Sequence, residues 1–233
     1  MPSVLITGSN RGLGLEWSEQ LASAGWRVYA TCRDPDNAES LKLLQAAYRR
    51  NLTIHRLDVT DAAQISAVVS ELEGAPVDWL INNAGVYFEK YIDEPLGKVD
   101  FLHWEETFRV NTLGAMRVSA ALAANLAASD SKLLVAISSH MGSIAEIGAA
   151  GDYAYRSSKA ALNAAMKGLS LELQPRGITV AILHPGWVQT RMGGSGATLS
   201  TRESVAGMRR VLEAVSHDDS GRFFRYDGSI IPW

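Results

Sequence analysis

Short apolar runs rich in β-branched residues alternate with longer amphipathic stretches along nearly the whole chain, and this alternation leaves few folds open. The runs fall at 4–6, 27–31, 53–57, 77–81, 133–137 and 179–183, with 222–224 as a further edge strand. Several are almost continuously apolar, the pattern of parallel strands buried on both faces. Helical patterns occupy 12–24, 37–50, 61–73, 103–128, 154–174 and 201–216. The expected architecture is a single doubly wound α/β domain over 1–233. Its sheet is mostly parallel, with six to seven strands and helices on both faces. Boundary residues agree. Asp61 is placed to cap a helix, Gly25 to close the first one, and Pro175 with Gly177 to end the long helix before 179–183. No repeat or linker divides the chain.

Composition narrows the function. A net charge of −3 and the lack of a long basic run argue against nucleic acid or a membrane surface as partner. The single cysteine, Cys32, can form no internal disulfide or cysteine-rich zinc cluster, and fits a reducing compartment. Five histidines show no metal-binding spacing, so no metal is expected. The start of the chain reads neither as a signal peptide nor as a span, which points to the cytoplasm.

Chemistry begins at Thr7-Gly8-Ser9-Asn10-Arg11-Gly12-Leu13-Gly14, between the first strand and the first helix. Glycines allow a tight turn and close backbone approach, and the helix N-terminus offers free N–H groups to a pyrophosphate. A dinucleotide-binding domain of Rossmann type follows. A carboxylate ending the second strand would favour NAD, whereas positive charge there suits the 2′-phosphate of NADP. The strand ends Thr31-Cys32-Arg33, and Arg11 lies in the glycine loop, so two guanidinium groups can share one phosphate. Asp34 dissents, but can cap the following helix instead. NADP(H) is the expected cofactor.

Of seven tyrosines, only Tyr155 has a lysine four residues on, Lys159, which on a helix shares its face. Chance supplies about 0.2 such pairs in a chain of this composition, so the pair alone is weak. Its chemistry is apt, because a free tyrosine has a pKa of about 10 and a nearby ammonium would lower it. Ser139, at the end of the 133–137 strand, can hydrogen-bond a substrate carbonyl; Ser138 would substitute if the strand ended one residue early.

Together with Asp58-Val59, Asn82-Asn83-Ala84-Gly85, Asn111 and Pro185-Gly186 with Thr190, these motifs resemble the short-chain dehydrogenase/reductase family in order along nearly all of the chain. Within it the chain is most similar to sniffer-type carbonyl reductases and the bacterial C-factor group. The resemblance implies reduction of an aldehyde or ketone by NADPH, with the pro-S hydride delivered. Tyr155 would be the general acid, Lys159 would lower its pKa and hold the nicotinamide ribose, and Ser139 would polarise the carbonyl. Asn111 would fix a water linking Lys159 to solvent. Cofactor contacts would come from Gly8, Asn10, Arg11, Gly12, Leu13, Gly14 and Arg33, and from Asp58 and Val59 at the adenine. Asn83, Ala84 and Gly85 would line the cofactor, and Pro185, Gly186, Val188 and Thr190 would embrace the nicotinamide. One departure stands out: Ser139 precedes Tyr155 by 16 positions, a longer interval than in many members, with the excess in 144–152.

Loops at 86–102 and 185–200 are the expected substrate walls, at the carboxyl ends of strands. His140, Met141, Trp187 and Met192 are candidate pocket residues, as are Val86, Tyr87 and Trp104; core packing suits Trp104 equally well. The resemblance favours a homodimer over a monomer, through the alanine-rich 115–128 stretch and the Tyr155 helix, although the same small residues suit burial in one chain. A second function remains open, an NADP(H)-binding sensor or signalling protein with little turnover.

Overall fold

The computed structural model describes residues 1–90 and 96–233. Its strands are β1 (Ser3–Ile6), β2 (Arg27–Cys32), β3 (Leu52–Arg56), β4 (Trp79–Asn82), β5 (Leu133–Ile137), β6 (Thr179–His184) and β7 (Arg222–Arg225). They form one seven-stranded sheet in the order β3-β2-β1-β4-β5-β6-β7. Every pairing is parallel, so the sheet is wholly rather than mostly parallel. β4 starts two residues later than its apolar run suggests, because the Val77 N–H donates to Asn125 O instead of to a neighbouring strand.

The helices are α1 (Gly12–Ser23), α2 (Glu39–Ala47), α3 (Ala62–Glu71), α4 (Phe101–Phe108), α5 (Ala115–Ala127), α6 (Tyr153–Leu173) and α7 (Thr201–Ala214). Side chains alternate across the strands and build two cores. Val4, Ile6, Ile81 and Val135 pack with Trp17 and Leu21 of α1, Leu41 of α2 and Met208 of α7. Leu5, Leu80, Leu134 and Val180 face the other way, onto Ile65 of α3, Leu122 of α5 and Leu162 and Met166 of α6. Apolar residues at period two thus become a sheet covered on both sides.

Local signals explain most ends. The Asp61 carboxylate accepts from Ala63 N and Gln64 N at the start of α3. Gly25, at φ +81°, lets the Gly25 and Trp26 amides return to Ala22 O and Leu21 O and stop α1. Asp34 caps no α-helix: it precedes a short 3₁₀ turn, Pro35–Asn37, and accepts from Asn37 Nδ2, so α2 begins only at Glu39. The single helix expected over 103–128 is interrupted by a π turn at Arg109–Gly114 between α4 and α5. Among the described residues no helix is long and apolar enough to cross a membrane, and no cluster of three metal-ligating side chains occurs.

Strand order reverses between β1 and β4, so the loops leaving their carboxyl ends diverge and open a crevice. Leu80 lies at the centre of this sheet, fully buried. Leu80→Ala is expected to cost about 2–5 kcal/mol, read as a lowered midpoint of denaturant unfolding.

Candidate active site

The crevice floor is tied together by Thr7. Its hydroxyl oxygen accepts from both Asn83 N and Ala84 N at 2.9 Å, and Asn83 Nδ2 donates back to Thr7 O at 2.9 Å and Gly8 O at 3.2 Å. The glycine loop and the 82–85 turn are thereby held in contact. Gly14 is required there, since a Cβ would stand 2.2 Å from Gly8 O and 2.6 Å from Asn83 Nδ2. Gly8, at φ +70°, lies so close to Ala84 that a Cβ would meet its Cα at 3.0 Å.

The N-terminus of α1 suits a phosphate. Arg11 occupies its N-cap position in extended conformation, leaving the first-turn N–H groups without a side-chain cap among the described residues. Arg11 and Arg33 are both exposed. Neither guanidinium takes part in an ion pair among the described residues, unlike Arg56, which is bound to Asp36 at 2.7 Å. Thr190 reaches over from the 185–200 segment, its Cγ2 placed 3.4 Å from where a Gly12 Cβ would be. These features fit a dinucleotide carrying an additional phosphate. Asp58 is less free: one carboxylate oxygen accepts from Thr60 N and Thr60 Oγ1. The Val59 side chain belongs to the core and packs against Gly114.

Tyr155 and Lys159 lie on the inner face of α6, 7 % and 4 % exposed. Lys159 Nζ donates to Ile137 O at 2.9 Å and stands 5.8 Å from the Tyr155 ring centre. Burial pulls the ammonium pKa down to about 8. The phenol is not lowered, as the sequence suggests, but pushed up to about 12. Burial is the largest cause, opposed by the Ser139 hydroxyl beside it, with the Asp152 carboxylate adding a smaller upward push. Desolvation outweighs that hydrogen bond.

Ser139 stands two residues beyond the end of β5, and its oxygen also accepts from Met141 N at 3.2 Å. Ser138 points elsewhere, donating to Asn163 Oδ1 at 2.6 Å inside the core. The structure therefore brings Ser139, not Ser138, to Tyr155. The longer 140–152 segment between them is moored to the chain's end: Ser143 Oγ donates to Pro232 O, Ala145 N to Trp233 O, and Arg225 pairs with Glu146.

Asn111 sits in the π turn. Its Oδ1 accepts from Val86 N at 2.8 Å, and its Nδ2 donates to Val86 O at 2.9 Å and Ser158 Oγ at 3.0 Å. Both side-chain protons are spent on holding the post-β4 loop to α6, so the side chain clamps the site. Two further residues complete the site: Tyr87, expected as a pocket wall, and Glu89, which carries no sequence signal. Tyr87 stacks on Tyr155 with ring centres 4.0 Å apart and donates to Asp152, and its pKa is raised by burial and then by that carboxylate. Glu89, 4 % exposed, accepts from Ala154 N at 2.9 Å and Tyr155 N at 2.8 Å, capping α6 from another loop. Its partners are backbone atoms 65 and 66 positions away, which no spacing rule reveals.

The proposed pocket residues divide. His140 packs edge-on to His184 at 4.7 Å. Burial lowers both pKa values, that of His184 to about 3, so both rings are neutral at pH 7. Trp187 is 51 % exposed and donates from Nε1 to Gly193 O; Met192 is 36 % exposed on the same loop. Met141 instead lines a cavity on another face of α6, shared with Trp104. Of the 86–102 wall, residues 91–95 lie outside the described residues.

Comparison with known proteins places this arrangement. The family described as short chain dehydrogenase matches residues 2–198. The chain belongs to this family of oxidoreductases. The C-signal of Myxococcus xanthus is 46 % identical over 158 residues, spanning 68 % of this chain and 93 % of that protein. The carbonyl reductase Sniffer of D. melanogaster superposes with a TM-score of 0.92 at 31 % identity, with 100 % of both chains covered. NADPH-bound carbonyl reductase from chicken fatty liver gives 0.90 at 34 % identity, covering 100 % of this chain and 99 % of that one.

Removing the Glu89 carboxylate strands two buried amides at the start of α6. Glu89→Ala should lower stability by about 1–3 kcal/mol, seen as a fall in Tm, and Glu89→Gln, which keeps one acceptor, should lose less.

Proposed function

We propose that the chain reduces an aldehyde or ketone to an alcohol at the expense of NADPH, with Tyr155 giving the proton. The observation that carries this reading is the convergence of Tyr155, Ser139 and Lys159 in one buried cluster beside a helix N-terminus suited to phosphate. Carbonyl reductases of the same fold crystallise with NADPH or NADP, including one from Pseudomonas aeruginosa PAO1, which lends the cofactor assignment support.

Gly8, Gly12, Leu13 and Gly14 would hold the pyrophosphate and Arg11 with Arg33 the 2′-phosphate; Asn83, Ala84, Gly85, Pro185, Gly186, Val188 and Thr190 would enclose the nicotinamide half. When bound, NADPH supplies the hydride. Ser139 donates a hydrogen bond to the carbonyl oxygen, and Tyr155, a neutral phenol at pH 7, donates its proton as negative charge develops there. Lys159 provides a positive charge that stabilises the phenolate left behind. Asn111, Tyr87 and Glu89 fix the loop and helix on which this geometry rests. Trp187 and Met192 offer apolar surface to the substrate from the 185–200 loop, and His140 would act as a neutral wall.

The 46 % identity to a protein named C-signal motivates a second reading, in which cofactor binding serves signalling with little turnover. A complete Tyr155–Lys159–Ser139 set favours turnover. NADPH consumption over a panel of aldehydes and ketones separates the two, since a signalling module would oxidise no NADPH with any of them.

In Tyr155→Phe the carbonyl-dependent rate should fall by at least about 100-fold, with folding and NADPH affinity retained; an unchanged rate would refute the assignment. Reduction should also depend on pH through Lys159. A lysine is charged below its pKa, so kcat/KM for the carbonyl should decline as pH rises through about 8, and Lys159→Met should lack that limb.

A further inference from the structure

The helix that carries Tyr155 has a second face with no part in the reaction above. Tyr153, Arg156, Ser157 and Ala160 recur at helical spacing on the side of α6 turned away from Tyr155 and Lys159. Together with Trp104, Met141, Ile144 and Ile147 they line a half-open cavity of about 490 Å³, a volume typical of small-molecule sites. Its walls are apolar, and nearly every polar group in them is already satisfied. Trp104 Nε1 donates to Ser157 Oγ, Ser157 Oγ donates to Tyr153 O, and Ser143 Oγ donates to Pro232 O.

Arg156 is the exception. Its Nε is buried and has no hydrogen-bond partner, and its guanidinium enters no ion pair among the described residues. Glu146, on the neighbouring segment, is engaged by Arg225 at 2.5 Å, and Asp152 accepts from the Tyr87 hydroxyl. The side chain as a whole is only half-buried, but its Nε is a shielded donor without a partner, which is costly. The cost disappears if an anion arrives with its own apolar body to fill the cavity, because guanidinium and carboxylate match in a two-point geometry.

We infer that this cavity is a binding site for an amphiphilic carboxylate, with its alkyl chain against Trp104, Ile144 and Ile147 and its carboxylate on Arg156. The site is set apart from the carbonyl site because its α6 residues lie on a different side of the helix from Tyr155 and Lys159. It does touch the 141–151 segment that follows Ser139. A bound ligand therefore packs against both ends of the loop joining Ser139 to Tyr155.

Decanoate is the probe, with decanol as its uncharged counterpart, each titrated calorimetrically into the intact chain. Decanoate should bind at least about tenfold tighter than decanol. Arg156→Met should erase that difference while leaving NADPH affinity unchanged, and Ala160→Trp should weaken both ligands by filling the cavity. Tyr155→Phe should leave decanoate binding intact, which separates this site from the carbonyl site whatever the turnover. Equal affinity for the two probes, or a preference surviving in Arg156→Met, would overturn the inference. So would sedimentation showing a dimer whose formation excludes decanoate, because a second copy would then be the occupant. If Arg156→Met fails to fold, the decanoate–decanol difference in the unaltered chain decides alone.

Discussion

Thr7 is the fastening on which the site depends. Where β1 and β4 part, two loops leave the sheet in opposite directions, and nothing in the strand pairing holds them together beyond that edge. One hydroxyl oxygen takes both amides of the opposing turn, and one asparagine side chain returns the favour to two carbonyls. Glycine at position 14 is what lets the backbones come this near. The phosphate-fitting helix end and the 82–85 turn are therefore parts of one hydrogen-bonded unit.

Around that unit the chain places its reactive groups in a dry environment and lets desolvation set their starting state. Tyr155 is held neutral and Lys159 is made a weaker base by the same burial. Both shifts oppose the ion pair that spacing alone suggests. The arrangement is consistent with a site whose charge balance is completed by its ligand, since a positive nicotinamide would favour the phenolate that burial now disfavours. Lys159 meanwhile has a fixed acceptor in Ile137 O, so its position is secured by the sheet rather than by the tyrosine.

The fold was largely legible in the sequence because its signals are local and periodic. Short, nearly continuous apolar runs announced each strand, and Asp61, Gly25 and Gly177 marked helix ends through caps that involve only neighbours. Errors arose where a group found a partner other than the one its local pattern suggests. Val77 is drawn out of β4 by Asn125, and Asp34 is taken by Asn37 before it can start α2. In the site, Tyr155, Lys159, Ser139 and the glycine loop carry recognisable spacing. Glu89 and Tyr87 do not, since their roles arise from a loop folding back onto a helix far along the chain.

The π turn at 109–114 has a consequence for how this chain tolerates change. A π turn is an α-helix with one residue too many, and each residue corresponds to about 100° of rotation. The surplus residue therefore sets the angular register between α4 and α5 as well as the bearing of Asn111 toward Val86 and Ser158. Exchanging a side chain there alters one contact. Losing a residue would straighten the helix and swing one half of it away from its partners, so the length of this segment is more tightly constrained than its chemistry.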